Sequence, residues 1–180
     1  VVTFENGEDS TAVLSGFTVR NGLSPSSASG EGGGIFISDS NPSINNLIIK
    51  NNQALSDGGG IFIQSGNPKL QDLIIVDNNA SDNGGGIYST SSSLILKNMM
   101  IKDNEATLNG GGSYFYQSIS SFNGFQVNII NSIFLDNIAN GAGSKYGGGG
   151  IYCSANDLLL NQVFVSNNTA YRGGGIMMSE

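Results

Sequence analysis

A triple glycine returns at Gly32–Gly34, Gly58–Gly60, Gly84–Gly86, Gly110–Gly112, Gly148–Gly150 and Gly173–Gly175, the first four copies 26 residues apart. A unit that short cannot bury an apolar face by itself, so the units must stack on one another to make a core. Within each unit the apolar residues form short β-branched runs bounded by Gly, Asn, Asp, Ser and Pro, which reads as strand and not as helix. In the second unit these runs predict strands at Ile35–Ser38, Ser43–Asn45 and Leu47–Lys50, with Asn41-Pro42 turning the first corner. Identical strands of successive coils then pair at about 4.8 Å per rung. The expected fold is all-β: a right-handed, single-stranded parallel β-helix, a solenoid of about six coils of ~26 residues, its hand set by the strong preference of parallel crossovers. Residues 1–180 read as one such domain.

In-register stacking turns the repeat into columns. Ile35, Ile61, Ile87, Ile151 and Ile176 form one inward apolar column, and Ile49, Ile75, Ile101, Phe134 and Val165 another. Asn52, Asn78, Asn104, Asn137 and Asn168 read as an asparagine ladder, with amides bonded from rung to rung at a bend. The single cysteine, Cys153, shares a column with Ile37, Ile63 and Phe115 and reads as a small buried hydrophobe.

The period breaks in coil five (110–146), which carries loop insertions near Tyr116–Phe125 and Asn140–Tyr146; a further insertion falls near Pro25–Glu31. Side loops of a solenoid are where binding sites gather, although tolerated length drift explains them equally. The chain opens at Val1 on what reads as the end of a repeat and closes on the start of another, as expected of a fragment of a longer protein.

A net charge of −7, with seven basic residues scattered along the chain, disfavours phosphate backbones and anionic headgroups as partners. No apolar run is long enough to span a bilayer, so membrane insertion by this segment is not expected. Neutral or cationic partners remain: a polysaccharide, or a host or neighbouring surface protein.

Two columns are candidate sites. Alternation along the first strand puts Phe36, Phe62, Tyr88, Tyr114 and Tyr152 on the outside, a stripe of exposed rings able to stack on sugar faces or to anchor a protein. Mutual stacking of the rings is the competing, purely structural role. Beside the asparagine ladder, Asp77, Asp103 and Asp136 put three carboxylates on consecutive rungs, which would repel unless solvated or bridged by a cation such as calcium. The same carboxylates would suit acid and base chemistry on a glycan. Against an enzyme, the chain has no His, no Gly-x-Ser-x-Gly and no base beside its cysteine, so no catalytic residue is assigned. No cofactor is implied, calcium excepted.

The paired motifs Gly-Gly-x-Ile and Phe-x-x-Asn, seen in Gly148–Ile151 and Phe134–Asn137, resemble the repeats of chlamydial-type polymorphic outer membrane proteins, within the pectin-lyase-like β-helix family. Ile49–Asn52, Ile75–Asn78, Ile101–Asn104 and Val165–Asn168 match with an aliphatic residue in place of Phe, and the third position of Gly-Gly-Ala-Ile is Gly here. The segment Phe4–Gly22 looks like the opening coil of large secreted bacterial β-helix proteins. The resemblance implies a bacterial, extracellular or outer-surface location and an adhesin or scaffold role without catalysis, with carbohydrate as a candidate ligand. The alternative is a segment of a polysaccharide lyase or glycoside hydrolase acting on acidic or neutral glycans.

Overall fold

The computed structural model describes residues 2–24, 30–117, 126–154 and 157–179. The expected insertions near Pro25–Glu31 and Tyr116–Phe125 lie largely outside these residues. Every strand pairing is parallel and joins equivalent positions of successive units, Ile35 to Ile61, Ile61 to Ile87, and Ile49 to Ile75. The architecture is a parallel β-solenoid with three sheets along its sides and no helix among the described residues.

The first sheet holds seven strands, Val2–Phe4, Ile35–Ser38, Ile61–Gln64, Ile87–Thr90, Ser113–Tyr116, Ile151–Ser154 and Ile176–Ser179. The second is built from Ser43–Lys50, Lys69–Val76, Gln126–Leu135 and Asp157–Ser166, with shorter pairs of strands at Val13–Ser15 and Thr18–Arg20 and at Leu94–Lys97 and Met100–Lys102. The third consists of two-residue strands such as Gln53–Ala54 and Asn79–Ala80. This third sheet is absent from the sequence expectation, and the expected pair Ser43–Asn45 and Leu47–Lys50 is one strand, Ser43–Lys50. The strand bends without breaking because Asn46, with φ 54°, takes one left-handed step between the two halves. A two-residue strand carries too few side chains to show alternation, which is why its sequence is silent.

Glycine and short polar residues make the other corners. The first glycine of each triplet is left-handed, at φ 67°, 71°, 67°, 63°, 68° and 56° from Gly32 to Gly173. The second needs glycine for space: a Cβ on Gly59 would sit 2.4 Å from the Gly85 carbonyl oxygen and 2.5 Å from that of Asn79. The triple glycine is therefore the tight turn that brings the third sheet back to the first, which explains its return in every unit.

The core is a continuous column of aliphatic side chains, Ile35, Ile61, Ile87, Ile49, Ile75 and Ile101 among them, all without exposure. Each contributes about 1.5–3 kcal/mol by leaving water. One level departs from the pattern. Phe115 takes the place of a smaller residue, and the positions beside it are small: Ser113 replaces the Ile of its column, and Ser89 and Cys153 flank Phe115 in register. Cys153 is 1% exposed, the small buried hydrophobe expected.

Candidate functional site

The aromatic residues Phe36, Phe62, Tyr88, Tyr114 and Tyr152 occupy the outward position of the first sheet, in register from rung to rung. They do not form an exposed strip. Consecutive rings stack face to face, with centroids 5.3, 5.1, 5.3 and 4.8 Å apart and planes within 12°. Phe62 is only 2% exposed and Tyr152 8%, and the other three rings are half-buried. In-register pairing forces identical rotamers onto neighbouring rungs, so the ring faces are spent on one another and the stack offers edges. Alternation gave the side of the sheet correctly and could not reveal that the faces are covered.

A half-buried acidic group adjoins this stack. Asp57 accepts hydrogen bonds from the backbone N–H and the side-chain amide of Asn83, at 2.9 and 3.0 Å, and Asn109 donates to Asn83 at 2.9 Å. Burial pushes the Asp57 carboxyl up, against the lowering effect of the Asn83 bonds, and Glu31 is raised by burial and by the charge of Asp57. The Tyr88 and Tyr114 phenols are pushed well above their usual range, chiefly by burial, and Asp57 adds its charge to the effect on both.

Asp77, Asp103 and Asp136 mark the corner between the second and third sheets. Their φ values are 55°, 53° and 54°, and Asn21, Asn51 and Asn167 take the same conformation on the other rungs. Asp and Asn tolerate this left-handed step better than other side chains, a backbone reason for the column. Asp103 forms an ion pair with Lys102 at 3.2 Å on the surface. Among the described residues no cluster of three or more acidic or other ligating side chains is arranged to hold a metal ion.

The asparagine ladder is as expected and buried. Asn52, Asn78, Asn104 and Asn137 are 0–1% exposed, and the side-chain oxygens of Asn78, Asn104 and Asn137 each accept from both the backbone N–H and the amide of the residue one rung back. At the first rung the Asn52 side-chain oxygen accepts from the Gly22 backbone N–H at 2.9 Å.

A further feature was missed. At the bend of the second sheet, Asn46, Asp72, Asn98, Asn131 and Gln162 are all left-handed. Asn98 donates to Asp72 at 2.7 Å and Asn131 donates to Asn98 at 2.8 Å, a second ladder that faces water. The bond from Asn98, with one from Gln71 and the nearby charge of Lys97, holds the Asp72 carboxyl below its usual range. Two residues further along each rung, Ile48, Ile74, Met100, Ile133 and Phe164 stack in an outward column, where a solenoid normally places polar side chains. Ile48, Ile74, Met100 and Phe164 are 38–58% exposed. Between ladder and column runs a groove of about 580 Å³ from Asp72 to Phe164, continued by one of about 280 Å³ toward Phe17 through the shared walls Asp72 and Ile74. The sequence held the signal, since this column is apolar on five rungs at a position whose strand neighbours point inward.

The fold also gathers cations that are dispersed along the chain. Arg20, Lys50, Lys69, Lys97 and Lys102, five of the seven basic residues, lie on the second sheet, whose strands carry only Asp72 and Asp157 as acids. Within that sheet they stand apart, Arg20, Lys50 and Lys102 in one column at one end of the strands and Lys69 and Lys97 toward the other.

Residues 46–64 and 72–90 match the Chlamydia polymorphic membrane protein repeat. Each matched segment runs from the bend of the second sheet through the buried asparagine and the triple glycine into the next strand of the first sheet. The chain therefore carries repeats of the polymorphic membrane protein type. Neither the curated proteins nor the solved structures contain a match to it.

Proposed function

We propose that this chain is a section of a right-handed β-helix serving a bacterial surface protein as a non-catalytic, adhesin-like scaffold. The observation that carries this reading is the coincidence of the matched repeat with the structural unit: residues 46–64 and 72–90 each contain the asparagine corner and glycine turn that let one coil stack on the next. Residues that build such corners serve the backbone, which leaves the outward side chains free to vary with the partner.

The test is protease digestion of intact cells of the source organism, followed by blotting with antibody to this chain. Cleavage before lysis is the expected result; protection until the envelope is broken would overturn the surface assignment. In parallel, the chain is incubated with acidic and neutral polysaccharides, with and without calcium. Polymers of unchanged length are expected, and shortening that disappears in Asp103→Asn would overturn the non-catalytic reading.

A further inference from the structure

We propose that the groove at the bend of the second sheet binds an uncharged linear glycan, one sugar unit per rung. This goes beyond the scaffold reading and stands or falls apart from it.

The two walls of the groove have different chemistry and one period. On one side the amides of Asn98 and Asn131 are tied to each other and to Asp72 by single bonds, 2.8 and 2.7 Å long. A primary amide has two N–H donors and two lone pairs on oxygen, so Asn98 still presents one donor and one acceptor outward. On the other side, Ile74, Met100, Ile133 and Phe164 present apolar surface at the same levels. A pyranose ring carries hydroxyls on its rim and C–H bonds on its faces, and it needs these two surfaces side by side.

The spacing selects among linear occupants. Rungs repeat at about 4.8 Å, so the column from Ile48 to Phe164 spans four steps, about 19 Å. A sugar unit of an extended glycan advances by about one rung, and because both faces of a pyranose ring carry C–H bonds and its rim carries hydroxyls all round, a unit turned over relative to its neighbour still meets both walls. An extended peptide repeats its side-chain direction only about every 6.7 Å and falls out of register within two rungs. A second protein copy is a poorer fit, because a stable dimer covers about 800 Å² per partner and this strip is one side chain wide.

Charge narrows the choice again. The only ionised group in the groove wall is Asp72, which stays a carboxylate under the bonds from Asn98 and Gln71. Of the cations of the same sheet, Arg20, Lys50 and Lys102 share another column, with Lys102 paired to Asp103, while Lys97, next to Asn98 in the chain, lies near enough to Asp72 for its charge to lower that carboxyl's pKa and offset its charge. The groove's lining side chains thus include one carboxylate and no cation, and with Lys97 offsetting Asp72 the groove has no excess positive charge to hold a polyanion, which suits neutral sugars.

The experiment titrates the chain with neutral β-linked oligosaccharides of increasing length, followed by NMR or calorimetry. Affinity should rise with each added unit until the rungs of the groove are filled, and then level off. Met100→Ala and Asn131→Gly change outward side chains, the latter at a left-handed position that glycine accepts, and each should weaken binding about tenfold with the thermal midpoint little changed. Phe36→Leu, in the ring stack of the first sheet, should leave binding unaltered. The proposal is overturned by the absence of binding to any neutral glycan, by binding confined to polyanions or peptides, by affinity independent of chain length, or by equal affinity of Met100→Ala and the parent chain. Self-association that Met100→Ala abolishes would assign the groove to a second copy and overturn it too.

Discussion

Asn104 offers the sharpest test of how the coils are held together. It is 1% exposed, and its side chain works in both directions: Oδ1 accepts from the Asn78 backbone N–H at 3.0 Å and from the Asn78 amide at 2.9 Å. Its own amide donates to the carbonyls of Ile75 and Lys102 and to Asn137 Oδ1, at 2.9, 3.0 and 3.0 Å. In Asn104→Ala the Asn78 backbone N–H is buried without an acceptor, at a cost of about 1–3 kcal/mol, and the other lost bonds add to it. A loss of about 3–4 kcal/mol is expected by urea denaturation. At the end rung, where water reaches the half-buried Asn168, the same change should cost about 1 kcal/mol. Asn104→Asp separates donor from acceptor, because it keeps the acceptor for Asn78 and places a charged oxygen among carbonyls. It should cost about 3–5 kcal/mol at neutral pH. Its folded-state pKa must then be raised, so the deficit should shrink as the pH falls toward the ordinary carboxylate range. An Asn104→Ala chain within about 1 kcal/mol of the parent would refute the claim that the ladder supports the stack.

If Asp103 is held for its left-handed φ of 53°, then Asp103→Ala should lose about 1 kcal/mol, while Asp103→Asn and Asp103→Gly stay near the parent in urea midpoint. Calcium should move none of these midpoints, and a calcium shift present in the parent and absent in Asp103→Asn would assign the column to a cation instead. Asp57→Asn extends the amide pairing of Asn83 and Asn109 and removes a carboxylate whose pKa is raised by burial. A raised folded pKa means that stability is fully present below the ordinary value of 3.8 and lost as the pH rises through the raised one. Asp57→Asn should therefore raise the thermal midpoint at pH 7, with the gain fading in acid; a gain independent of pH would exclude ionisation as its source.

The repeat, the inward columns and the buried asparagine ladder were legible in the chain itself. In-register stacking places each residue against its own equivalent, so a period in sequence is at once a column in space. The triple glycine was legible as punctuation, but its purpose depends on the Gly85 and Asn79 carbonyls that crowd Gly59 from the next coil and from the third sheet. The two-residue third sheet was not legible, since side chains so few show no alternation.

Exposure and grouping were decided by the tertiary structure. The sequence by itself determined that Phe36, Phe62, Tyr88, Tyr114 and Tyr152 share one side of one sheet, because strand alternation is local. Only the assembled stack decided that each ring covers the face of the next, since stacking depends on neighbours 26 residues or more away. The same distinction holds on the second sheet. Asn46, Asp72, Asn98 and Asn131 are unremarkable polar residues along the chain, and Arg20, Lys50, Lys69, Lys97 and Lys102 are widely separated. The turn of the solenoid aligns the former beside an apolar column and gathers the latter on one sheet, because side-chain surroundings are fixed by the coils above and below.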